Sequence, residues 1–115
     1  MRKFFKKIAS YVVAAYANRL YRKAAQKAEE RSTQEKTMIY VISSFFDESQ
    51  LVCCSRKEFR TVKEKLRLRH LKMEGLKEGS WYHTGDAIGR NGLSPADKEA
   101  RRIAFVRMVL KKANL

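Results

Sequence analysis

Residues 37–71, TMIYVISSFFDESQLVCCSRKEFRTVKEKLRLRHL, read as a complete folding unit. Met38, Tyr40, Ile42 and Phe45 stand in a run rich in β-branched and aromatic residues, Asp47-Glu48-Ser49 interrupts it, and Leu51-Val52-Cys53-Cys54 resumes it. That pattern is a β-hairpin with a polar turn. Ser55 follows, with Glu58 three residues on, the spacing of a capping box in which side chains and backbone amides satisfy one another at a helix start. A helix is therefore expected from about Arg56 to a point before Gly75. Phe59, Val62, Leu66 and Met73 recur at helical spacing and are expected to lie on the sheet, while Arg56, Arg60, Lys63 and Arg67 make a cationic row roughly opposite, continued by Arg69 and Lys72.

Downstream, Leu76-Lys77-Glu78-Gly79 reads as a turn and Ser80-Trp81-Tyr82-His83-Thr84 as a short third strand. Joined to the hairpin through the intervening helix, it gives a β-β-α-β order and a small, mainly antiparallel sheet. Gly85 to Gly92 is a loop with three glycines and Arg90, and Ser94-Pro95-Ala96-Asp97 opens a last helix, with Ser as N-cap and Pro at the first helical position. Ile103, Val106, Leu110 and Ala113 share a face of that helix, broadened by Phe105 and Val109, with Arg101, Arg102, Arg107, Lys111 and Lys112 around it.

Upstream, residues 2–31 read as one long helix, free of Pro and Gly and rich in Ala, with Ser32–Lys36 as a polar break. Phe5, Ile8, Val12, Tyr16 and Leu20 line one face, and Phe4, Tyr11 and Ala15 widen it. Three uses fit such a helix: packing on the hairpin or on a copy of itself, lying in an anionic membrane surface, or serving as a secretory signal, for which Ala15-Tyr16-Ala17 imitates a cleavage site. Crossing a bilayer is excluded, because the uncharged run Ile8–Asn18 falls well short of the ~20 residues required. The expected architecture is α+β: a basic amphipathic N-terminal helix over 1–36, then a small domain over 37–115 holding the β-β-α-β core and a C-terminal helix.

Charge narrows the function. Lys and Arg number 26 against 12 Asp and Glu, a net +14, with ten basic and three acidic residues in 1–36, nine and six in 37–78, and seven and three in 79–115. Such an excess favours polyanionic partners. The glycine loop matches neither the dinucleotide nor the Walker spacing. Cys53 and Cys54 are adjacent, so on a strand one is expected to face the core and the other away, a poor start for a zinc site with His70 and His83. Nucleophilic catalysis would need a thiol or hydroxyl beside an oriented His, and His83 with Asp86 makes only a weak pair in a strand end and loop. Tyr40, Trp81 and Tyr82 are expected in the core rather than stacked on bases. No enzyme, cofactor, metal or small-molecule substrate is expected.

Arg19-Leu20-Tyr21-Arg22-Lys23-Ala24, the strand Met38-Ile39-Tyr40-Val41-Ile42, Ser55-Arg56-Lys57-Glu58-Phe59-Arg60, Trp81-Tyr82-His83-Thr84, Ser94-Pro95 and Glu99-Ala100-Arg101-Arg102 together resemble small basic proteins encoded by tailed phages and mobile elements of gut bacteria. The resemblance covers most of residues 19–112, rests on ordinary residues rather than a catalytic signature, and carries over no site residue. It implies a non-enzymatic accessory protein in a genome-packaging or virion context, and the expected location is the bacterial cytoplasm or the virion, secretion by an N-terminal signal being the lesser alternative. The leading expectation is a basic protein that holds nucleic acid, without sequence preference, through phosphate contacts from Arg56, Arg60, Lys63, Arg67, Arg90, Arg101 and Arg102. The alternatives are an assembly protein that docks on an acidic surface or self-associates through the N-terminal helix, and a membrane-surface protein anchored by Phe4, Phe5, Ile8, Val12, Tyr16 and Leu20.

Overall fold

The computed structural model describes residues 2–44, 46–67, 75–86 and 88–115, and the side chains from Phe5 onward. Met73, Arg69, Lys72, His70 and Phe45, and the side chain of Phe4, lie outside the described residues. The order is α1 (Arg2–Glu35), β1 (Ile39–Ser43), β2 (Leu51–Ser55), α2 (Arg56–Lys65), α3 (Leu76–Gly79), β3 (Tyr82–His83) and α4 (Pro95–Lys112). This is the expected α+β fold.

β1 is the middle strand of an antiparallel sheet ordered β2-β1-β3, with Tyr40 opposite both Cys54 and His83. The hairpin turn is held by Asp47, whose Oδ1 accepts from the Ser49 amide at 3.0 Å and the Ser49 hydroxyl at 2.7 Å. Period-two alternation sends Ile39 and Val41 to one face and Tyr40 to the other. The first face is covered by α1 and α4 and contains Ala17, Tyr21, Ala28, Tyr82, Phe105 and Val109. Phe105, fully buried, stacks at 5.4 Å against Trp81 and 6.0 Å against Tyr21. Its burial alone contributes roughly 1.5–3 kcal/mol.

The second face is also covered: Tyr40, Cys54, Phe59 and Leu76 form a smaller cluster under α2 and α3. So neither cysteine points to solvent. The Cys53 thiol packs with the first cluster and donates to the Ala24 carbonyl at 3.4 Å, and Cys54 is buried in the second.

Several elements differ from the sequence expectation. Ser32–Glu35 belongs to α1 rather than to a break, because Thr33 Oγ1 bonds back to the Glu29 carbonyl and Glu35 pairs with Arg31 one turn earlier; the helix stops at Lys36, whose φ is 53°. Leu76–Gly79 is a helical turn, not an open one. α2 ends at Lys65, and Arg67, at φ 53°, has left the helical row. Among the described residues of the expected packing face, Phe59 is buried while Val62 and Leu66 remain 37% and 44% exposed. In α4 the buried face centres on Phe105 and Val109, while Ile103 is 37% exposed.

α1 shows the largest difference. The residues that pack are Val13, Ala17, Leu20, Tyr21, Ala24, Ala25 and Ala28. Phe5, Ile8, Val12 and Tyr16 are 64%, 47%, 63% and 53% exposed. At about 100° per residue, the packed line through 17, 21, 24 and 28 lies roughly opposite the line through 5, 8, 12 and 16. Small side chains let α1 approach the sheet and α4 closely, which the bulkier stripe would prevent.

Candidate nucleic-acid interface

α2 begins where Ser55 Oγ accepts from the Glu58 amide at 3.2 Å and the Glu58 carboxylate accepts from the Ser55 amide at 3.0 Å, the reciprocal pair its sequence encodes. This cap fixes the direction of the first turn, so Arg56, Lys57 and Arg60 project into solvent along a shallow groove of about 570 Å3 shared with Glu35, Thr37 and Ser55. Lys63 continues the row, half-buried.

The two carboxylates beside this groove are engaged elsewhere. Arg31 reaches from α1 to both Glu35 and Glu58, and also donates to the Cys53 carbonyl at 3.2 Å. Burial pushes the Glu58 carboxyl up, but the Ser55 amide and the Arg31 guanidinium outweigh it and leave its pKa below the ordinary 4.5. No ion pair among the described residues involves Arg56, Lys57, Arg60 or Lys63. Three exposed cations therefore line a groove whose acid, Glu35, and the neighbouring Glu58 are paired with a fourth cation, an arrangement that attracts anions.

The remaining candidate residues are dispersed. Arg101 Nη1 donates to the Ser80 and Lys77 carbonyls at 2.8 and 3.0 Å and so clamps α4 to α3; Arg102 is held by Glu99 and Asn18. Both guanidinium groups hold the fold together. Arg67 stands outside the helical row, and Arg90 is exposed in the glycine loop. That loop is organised by Asp86, whose carboxylate accepts from the amides of Arg90 at 2.9 Å and Ile88 at 3.0 Å and from Asn91 Nδ2 at 3.1 Å. A Cβ on Gly85 would meet the Gly89 carbonyl carbon at 2.9 Å, and Gly89 takes φ 80°, so the glycines serve the turn itself. The loop borders a depression of about 610 Å3 that also contains Lys36 and Lys98, but Glu29 and Asp86 share it, which weakens any preference for phosphate.

Among the described residues, no cluster of three or more His, Cys, Asp or Glu gathers as a metal site. Burial pushes the Cys54 thiol up to about 12 and raises Cys53 as well, so neither supplies a thiolate near neutrality. His83 is 2% exposed with Nδ1 at 3.1 Å from the Thr84 carbonyl. Tyr40 and Tyr82 are buried, and Trp81 Nε1 donates to Ser43 Oγ at 2.8 Å, so these rings are used in packing.

Sequence reasoning missed Lys57, although its position beside Arg56 in the first turn of a capped helix is a readable signal. It also missed the role of Arg31, which depends on a contact between residues far apart in the chain. Among the described residues, no helix is long and apolar enough to cross a membrane. No protein-family model matches the chain, and neither the curated proteins nor the solved structures give a match.

Proposed function

We propose that the protein is a small basic, non-catalytic accessory protein that binds nucleic acid through its phosphates, the resemblance to phage-encoded proteins giving its setting. The observation that carries this reading is the row Arg56, Lys57 and Arg60, continued by Lys63, along a groove whose carboxylate, Glu35, is taken by Arg31 together with the neighbouring Glu58. Contacts of this kind give affinity and salt sensitivity without reading bases. The raised thiols of half-buried Cys53 and buried Cys54 and the buried His83 support a non-catalytic role.

The test is a titration against labelled duplex DNA over a range of salt, with the full chain and with a variant in which Arg56, Lys57, Arg60 and Lys63 are replaced by Gln. The variant is expected to flatten the plot of log affinity against log salt by about three to four units, at ~0.9 per phosphate contact. An unchanged slope would remove this row from the interface.

A further inference from the structure

We propose that the first half of α1 docks on the surface of an anionic lipid bilayer, with Phe5, Ile8, Val12 and Tyr16 directed toward the acyl chains. These four residues are spaced by three and four, so they form one line along the helix, and each is about half or more exposed. Tyr11, 75% exposed, flanks them. The line lies roughly opposite the face that packs into the core, so the sheet and α4 sit behind the helix, the arrangement a flat surface requires. Beyond Tyr16 the same line continues through Arg19 and Lys23, both exposed.

Charge selects the occupant. Arg2, Lys3, Lys6, Lys7, Arg19, Arg22 and Lys23 precede the first acid of the chain, Glu29. A second copy laid on this stripe, in either direction, would set cations against cations without a carboxylate to answer them. Nucleic acid would meet the cations but leave Ile8 and Val12 in water. An anionic headgroup layer over acyl chains answers both halves of the pattern, and tyrosine suits its boundary. At about 1.5 Å per residue, the segment from Phe5 to Tyr16 is about 18 Å long, short of the ~30 Å hydrocarbon core, so it lies flat in the interface.

The test floats the full chain with vesicles of phosphatidylcholine alone and of an equal mixture of phosphatidylcholine and phosphatidylglycerol. Beside it runs a double variant, Ile8→Gln and Val12→Gln, which keeps the charge and changes no buried residue. The full chain is expected to float with the mixed vesicles only, and the variant to lose about tenfold or more in partitioning while keeping its helical circular dichroism and its affinity for duplex DNA. The proposal fails if the full chain stays with the unfloated material, if the variant floats equally well and charge alone is responsible, or if sizing shows a dimer that the variant dissociates. Because DNA affinity is read on the same variant, loss of vesicle binding is distinguishable from failure of the nucleic-acid reading.

Discussion

Thr84 and His83 are adjacent at the end of a two-residue strand and serve opposite sides of the sheet. Thr84, 1% exposed, accepts from the Ile39 amide at 2.9 Å, and its hydroxyl lies 3.0 Å from Ser32 Oγ, which ties the end of α1 to the start of β1. His83 is buried beside Tyr40. Its pKa is lowered from the ordinary 6.5, first by burial and then by Arg101 and Lys77, against the opposing pull of the Thr84 carbonyl and Glu78. The unfolded chain therefore takes up a proton at this residue before the folded one does. The stability that neutral His83 contributes is complete above pH 6.5 and is lost as pH falls through the lower folded value. The carboxylates with resolved shifts, Asp47, Glu58, Asp86 and Glu99, are all lowered from their ordinary 3.8 or 4.5, so the stability they contribute is lost mainly on the acid side of that window. Denaturation midpoints measured between about pH 7.5 and pH 5 are expected to fall on the acid side, and His83→Gln is expected to flatten the decline. An equally steep decline in the variant would assign it to another group.

Among the elements, those with directional chemistry were legible in the sequence and those decided by packing were not. The capping box at Ser55 and Glu58 and the Ser-Pro start of α4 appear as read, because each is a local exchange of hydrogen bonds. The end of α2 was not legible: Arg67 adopts a left-handed φ without a glycine to announce it. For α1 the bulky line at Phe5, Ile8, Val12 and Tyr16 is the strongest apolar signal, yet Ala17 and Ala28 are in the core, with Ala24 packed against it, because backbones can approach there. Hydrophobicity ranks side chains by size, whereas close packing rewards fit. It follows that α1 has two halves of different standing. Deleting residues 2–12 is expected to change unfolding free energy by no more than about 0.5 kcal/mol, since none of the described side chains among them, those of residues 5–12, belongs to either core cluster. Deleting 1–36 removes Ala17, Tyr21 and Ala28 and is expected to abolish cooperative unfolding; a cooperative transition in that shorter chain would show that 37–115 folds without α1.

At the scale of the whole molecule, α1 sets the dimensions. Its 34 residues, at about 1.5 Å each, are about 51 Å long, matching the 51 Å long axis of a body 32 by 20 Å in its other extents. The β-β-α-β succession and its single small sheet were legible in the sequence, whereas the pairing of β3 with β1, which puts β1 in the middle, is a finding of the structure. The candidate interface was legible only in part. Arg56, Arg60 and Lys63 stand out by spacing, but the engagement of Glu35 and Glu58 by Arg31 depends on the fold that brings α1 beside α2. Arg101 and Arg102 are equally cationic in sequence and are engaged in clamping α4.

The most direct measurement is the affinity of the full chain and of the chain lacking residues 2–12 for duplex DNA, followed across salt. Both are expected to bind at low salt with a steep negative slope. The shortened chain should keep the slope to within the loss of its four cations, Arg2, Lys3, Lys6 and Lys7, at ~0.9 unit each at most. Absence of binding at low salt, or an affinity indifferent to salt, would contradict a phosphate-binding body and leave the +14 charge to lipid or protein partners.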